Sequence, residues 1–166
     1  MRPQDIVILL KIASLGKSPW YMKDLAYSLG ISQSEISESL NRSAYAGLIN
    51  TDKRILMKNA LMELLEFGLK YIFPQQPGPV VRGLPTAHSA PPLDAVIDST
   101  EIFVWPDPFG ESRGQAIEPL HPGVPEASKK DEQLYQLLSL TDAIRVGKAR
   151  EYQLAVSELK DRILYA

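Results

Sequence analysis

Gln33, Ser34, Ser37, Glu38, Asn41 and Arg42 follow one another at alternating steps of one and three residues, a spacing that gathers side chains on one face of a helix. The chemistry open to such a face is the reading of nucleobase edges. Glutamine and asparagine pair bidentately with adenine, arginine with guanine or phosphate, serine with either base edges or phosphate, and a carboxylate can accept from the cytosine amine. Lys17, Lys23, Lys53 and Arg54 flank this stretch as candidate anchors for the phosphate backbone. A plain solvated face is the alternative, and Glu35 and Glu38 weigh toward it because phosphate repels carboxylates. Other chemistries have little to work with. The chain has no cysteine, so it offers no thiolate nucleophile, disulfide or thiolate metal site, and His88 and His121 are its only imidazoles. Asp94, Asp98 and Asp107 lie near them in sequence, but no motif joins them. Phe109-Gly110-Glu111-Ser112-Arg113-Gly114 has the glycines of a phosphate loop without its lysine and reads as a turn. The chain is therefore expected not to be an enzyme, with no catalytic residue, no metal and no cofactor.

Presenting that face requires a helix held by others. After Pro3, the apolar positions Ile6, Leu9, Leu10 and Ala13 predict an amphipathic helix that Gly16 ends. Met22 to Leu29 resumes the pattern with Leu25, Ala26 and Leu29, and Gly30 stops it. Ser32 caps a third helix, with Glu35 placed three residues on for a capping box and Ile36 and Leu40 turned inward. Two helices joined by a short turn around a glycine describe a helix-turn-helix, whose second helix enters the major groove. Leu48-Ile49 and Ile55-Leu56-Met57 read as two β-strands with Asn50 to Arg54 as the connecting tip, and Trp20 or Tyr21 as a third short strand.

The run from Lys23 through Leu25-Ala26, Leu29-Gly30, Ser32 and Ile36-Ser37 to Gly47-Leu48-Ile49 resembles the winged helix-turn-helix regulators of the MarR and related bacterial groups. The resemblance covers roughly residues 3–73. It implies a winged fold, regulation of transcription through double-stranded DNA, and terminal helices that build a dimer. Two departures stand out. Ser43 occupies a position where that group carries leucine, so the packing is looser or Tyr45 compensates, and the long Arg-tipped wing is missing, which argues against extensive minor-groove contact. Lys70 to Pro74, Arg82 to His88, Ala90 to Leu93 and Trp105-Pro106 together look like a bacterial family of MarR-like proteins with no established activity.

Charge and proline divide the chain of 166 residues, whose net charge is -2. Residues 1–73 carry nine Lys/Arg against seven Asp/Glu, residues 74–125 two against six with eleven of the thirteen prolines, and residues 126–166 seven of each. The N-terminal part can thus face a polyanion despite the acidic total. The division predicts a winged domain over 1–73, an ordered, extended proline-rich strap over 74–125 and a C-terminal helical pair over 126–166, mainly α overall. In the first segment a helix over 58–72 bears the stripe Leu61, Leu64, Leu65, Gly68 and Ile72; Ile102 to Trp105 has strand composition. The pair starts at Ser128 and Asp131, turns at Gly147, and carries stripes that a second subunit or the winged domain must cover. The longest apolar run, Ile6 to Leu10, is far too short for a membrane span, and the chain reads as cytoplasmic. The function expected is a sequence-specific, homodimeric transcription regulator that binds duplex DNA; the alternative is a protein-interaction module or an antitoxin-like partner binder.

Overall fold

The structure, a computed structural model, describes residues 1–165. It is mostly helical with one small three-stranded sheet. Helix α1 (Pro3–Leu15) opens with proline in its first turn and ends at Gly16, whose φ is 60°. Its run Ile6-Val7-Ile8-Leu9-Leu10 is apolar on every side and is buried on every side. Helices α2 (Met22–Leu29) and α3 (Gln33–Tyr45) cover one side of it, and α7 (Glu132–Val146) covers the other. Each such leucine or isoleucine removed from water contributes about 1.5–3 kcal/mol. The expectation that C-terminal stripes await a partner is therefore met within the chain for α7. Its Leu134, Leu137, Leu138, Leu140 and Ile144 are all buried, in a core continuous from Ile6 to Ile163. The carboxylate of Asp131 joins the two ends, accepting from the Leu134 amide at 3.1 Å while Lys11 Nζ lies 2.6 Å from its second oxygen.

Four local expectations are corrected. The two strands expected over 48–49 and 55–57 reduce to a single bridge between Ile49 and Leu56, because Asn50 Oδ1 takes the amides of Arg54 and Ile55 (2.8 and 2.9 Å) that a longer ladder would use, and Trp20 and Tyr21 add no strand. The 58–72 helix is interrupted: α4 (Lys58–Glu63) and α5 (Leu69–Ile72) are joined by a π-turn at Leu64–Gly68. The extra residue shifts the phase beyond it, so Leu69 is buried while Ile72 is 50% exposed; Met62, ahead of the turn, is buried too. Tyr152 donates to the Glu66 carbonyl within that turn. The supposed turn at 109–114 runs into a strand, and the C-terminal pair is preceded by α6 (Val124–Lys130), so α7 and α8 (Ala149–Ile163) are the second and third helices there.

The proline-rich segment, expected as an extended strap, folds into a closed three-stranded ring with two short 3-10 turns. Strand β1 (Val80–Pro85) runs antiparallel to both β2 (Phe103–Pro106) and β3 (Ser112–Ala116), and β2 and β3 close the ring in parallel. Closure at this size needs backbone contact: a Cβ on Gly83 would sit 2.0 Å from the Trp105 carbonyl. Asp142, fully buried on α7, fastens the segment. It accepts from Trp105 Nε1 (2.6 Å), Thr86 Oγ1 (2.8 Å) and Arg145 Nη1 (2.9 Å), while Arg145 also donates to the carbonyls of Phe73 and Glu118. Tyr135 adds a bond to the Pro85 carbonyl at 2.6 Å, and burial pushes its hydroxyl up to about 12. Among the described residues no helix is long and apolar enough to cross a membrane.

Candidate nucleic-acid interface

Helices α2 and α3 are set by local signals in Leu29-Gly30-Ile31-Ser32. Gly30 takes the left-handed conformation (φ 66°, ψ 35°), and Ser32 Oγ accepts from the Glu35 amide at 3.2 Å. Ile36, Ser39, Leu40 and Ser43 then face inward, leaving Gln33, Ser34, Glu38 and Asn41 exposed and Ser37 half-buried. Five of the six residues expected on the reading face are thus presented together.

Arg42 is the exception. Its Nε and Nη2 donate to the two carboxylate oxygens of Asp5 at 2.9 and 2.8 Å, a bidentate clamp between α3 and α1. Asp5 is wholly buried and also accepts from Ser39 Oγ (2.6 Å) and the Arg2 amide (2.8 Å). Burial alone would raise its carboxyl, but the bonds from Arg42, Arg2 and Ser39 outweigh burial and hold it below its ordinary 3.8. The spacing that put Arg42 on the face could not reveal an acceptor 37 residues away. Two further corrections follow. Tyr45 does not compensate for Ser43: its ring is 96% exposed, whereas Ser43 is buried with no hydrogen-bond partner for its hydroxyl. Tyr45 instead extends the outward stripe of Asn41 by one turn, which the sequence reading missed although the i, i+4 spacing marks it.

The loop 50–54 lies beside this face. Ser37 and Leu40 of α3 share a shallow cleft of about 140 Å³ with Trp20, Met22 and Asp52 to Arg54. Lys53 sits at the tip with φ 58°. Arg54 donates to the Trp20 carbonyl at 3.1 Å with its guanidinium 5.2 Å from the centre of the Trp20 ring, so its stem is preset while its charge stays exposed. Lys23 reaches over Tyr21 at 5.9 Å, and Lys17, also exposed, lines a second cleft across Trp20. Among the described residues, none of Lys17, Lys23, Lys53 and Arg54 forms an ion pair.

The histidines are otherwise engaged. His88 donates to the Glu101 carbonyl at 2.7 Å and packs edge-on against Phe103. His121 Nδ1 accepts from the Gly123 amide at 3.0 Å, and burial lowers its pKa against the opposing pull of Glu35. Among the described residues no three His, Asp or Glu side chains converge as a metal site. In comparisons with known proteins, no family model, curated sequence or solved structure matches the chain.

Proposed function

We propose that this chain is a winged helix-turn-helix protein that binds double-stranded DNA sequence-specifically and regulates transcription in the cytoplasm as a homodimer. The observation that carries the reading is the juxtaposition on α3 and the 50–54 loop. Gln33, Ser37, Glu38 and Asn41 make no side-chain hydrogen bond among the described residues, Ser34 meets only the Ser32 hydroxyl at 3.2 Å, and beside them Lys53 and Arg54 form no ion pair among those residues. Base edges would be read from α3 and the backbone gripped from the loop. In this reading Arg42 is a positioning residue that fixes the tilt of α3 on α1.

With α7 occupied in cis, the apolar surface left for a second copy includes Phe67, Tyr71 and Ile72, which the π-turn leaves exposed. Two copies on a palindromic site would set their α3 helices about 34 Å apart. The test is a binding titration on the DNA upstream of the protein's own coding sequence against scrambled duplex at several salt concentrations. The expected result is tighter binding to the upstream site and a log K that falls linearly with log salt. Absence of binding to every duplex would overturn the reading. A second reading, docking of a partner protein on the same face, is favoured by the fully solvated rings of Tyr27 and Tyr45 and the carboxylates of Glu35 and Glu38. It predicts affinity that is nearly insensitive to salt.

A further inference from the structure

Trp20 separates two clefts. The smaller adjoins α3; the larger, about 580 Å³, opens between the end of α1 and the segment 54–58, within the range of about 300–1,000 Å³ that small-molecule sites occupy. Its rim and floor bring together Lys17, Trp20, Tyr21, Arg54 and Lys58, with Ile12 at the apolar back. No carboxylate lines it. Lys17, Arg54 and Lys58 are exposed and, among the described residues, unpaired, so the cleft concentrates positive charge against flat apolar surface.

Two features narrow the occupant. One cation satisfies a carboxylate, whereas three cations lining one cleft suit the higher charge and several acceptor oxygens of a phosphate. The Trp20 ring, with Arg54 Cζ over it 5.2 Å from its centre, and the Tyr21 ring at 60% exposure supply the planar surfaces on which a base stacks whatever its identity. We propose that this cleft binds a single nucleotide, its base against the Trp20, Tyr21 and Arg54 planes and its phosphate held by Lys17, Arg54 and Lys58. A paired base inside a duplex has both faces covered by its neighbours and cannot enter. The occupant is a free nucleoside phosphate or an unpaired nucleotide of a single strand, and of the three cations only Arg54 also serves the duplex grip of the 50–54 loop.

The two tryptophans of the chain provide the assay. Trp105 is buried with its indole N–H on Asp142 and serves as an internal control, whereas Trp20 lines the cleft. Titrating the full chain with AMP, adenosine, inorganic phosphate and a short oligothymidylate is followed through the indole N–H signals in a heteronuclear correlation spectrum, with Trp20→Phe assigning the two. AMP is expected to move the Trp20 signal saturably and leave that of Trp105 in place. Adenosine and inorganic phosphate each bind at least about tenfold more weakly, and Arg54→Gln or Lys58→Gln, both at exposed positions, weakens AMP by about tenfold. Oligothymidylate binding more tightly than AMP through the same signal assigns the site to a single strand; AMP binding as tightly or more so assigns it to a free nucleotide. No saturable shift of the Trp20 signal, AMP no tighter than inorganic phosphate, or both indole signals moving together would overturn the proposal.

Discussion

Asp142 and its surroundings on α7 differ from the α3 face in what the chain does with its charges. Around Asp142, three donors from Thr86, Trp105 and Arg145 converge on one carboxylate, and the arginine also donates to two backbone carbonyls. Around α3 and the Trp20 clefts, Lys17, Lys23, Lys53 and Arg54 form no ion pair among the described residues. Buried charge must be matched inside the molecule or it costs several kcal/mol per ion; exposed charge is screened by water and can remain unmatched until a partner arrives. The proline-rich segment is accordingly fastened from α7 by a buried, matched charge, and the basic N-terminal segment holds the charges available to something else. Arg42 and Asp5 belong energetically with the first group although they sit within the second.

The largest expected effect tests the buried region. Asp142→Ala would leave a guanidinium, an indole N–H and a hydroxyl buried without their acceptor, and chemical denaturation should show a loss of about 3–5 kcal/mol. A loss below about 1 kcal/mol would mean water replaces the carboxylate and the fastening lies elsewhere. Burial pushes the Asp142 carboxyl up despite Arg145, Thr86 and Trp105. A raised folded pKa means that the folded state binds the extra proton, so this group's contribution is fully present at acid pH and declines as pH rises above 3.8.

Asp5 has the opposite sign, and it sharpens the contrast. Held below 3.8, it contributes stability above that pH and loses it as pH falls through the folded value. Arg42→Ala, which strands that buried carboxylate next to a half-exposed guanidinium site, should cost about 2 kcal/mol at neutral pH, less than Asp142→Ala because water reaches the Arg42 side. The deficit of Asp5→Asn relative to the parent should shrink in denaturation curves taken below pH 3.8. If Arg42→Ala melts like the parent and instead changes base preference, Arg42 is a reader and its assignment as a clamp fails.

How much of this the sequence disclosed follows from the range of the interactions. Pro3, Gly16, Gly30 and Ser32 act on their own or adjacent turns, and the three N-terminal helices they bound are where periodicity put them. The covering of α1 by α7 joins residues more than a hundred positions apart and leaves no local trace. Strand β3, Ser112-Arg113-Gly114-Gln115-Ala116, has no alternation to read, since it is held by closeness to β1 and β2 and not by an apolar face. The slip at Leu64–Gly68 is likewise fixed from outside, by Tyr152. For the candidate site the same division applies: exposure of Gln33, Ser34, Glu38 and Asn41 follows from helix phase, but the engagement of Arg42 required the tertiary fold.

On the exposed side, Asn41→Ala should leave the melting curve unchanged and reduce discrimination between the preferred and a scrambled duplex by about 1–3 kcal/mol, the worth of one bidentate base contact. Equal weakening on both duplexes would move Asn41 from base edge to backbone.

The smallest effect concerns Lys53 and Arg54, and it separates positioning from reading within the same surface. A phosphate contact carries no sequence information, so Lys53→Ala and Arg54→Ala should each weaken every duplex about equally and reduce the slope of log K against log salt by about one unit. Lys53 has φ 58° and alanine shares that strain, so the backbone of the loop tip should persist through the substitution. Arg54 is preset against Trp20, so it forfeits less side-chain freedom on binding than Lys53 does, and its removal should cost the more of the two. A slope unchanged by either variant would place the DNA away from the 50–54 loop. A loss confined to the preferred sequence would make the loop a reader in its own right, since only a contact that depends on the base can distinguish two duplexes of identical charge.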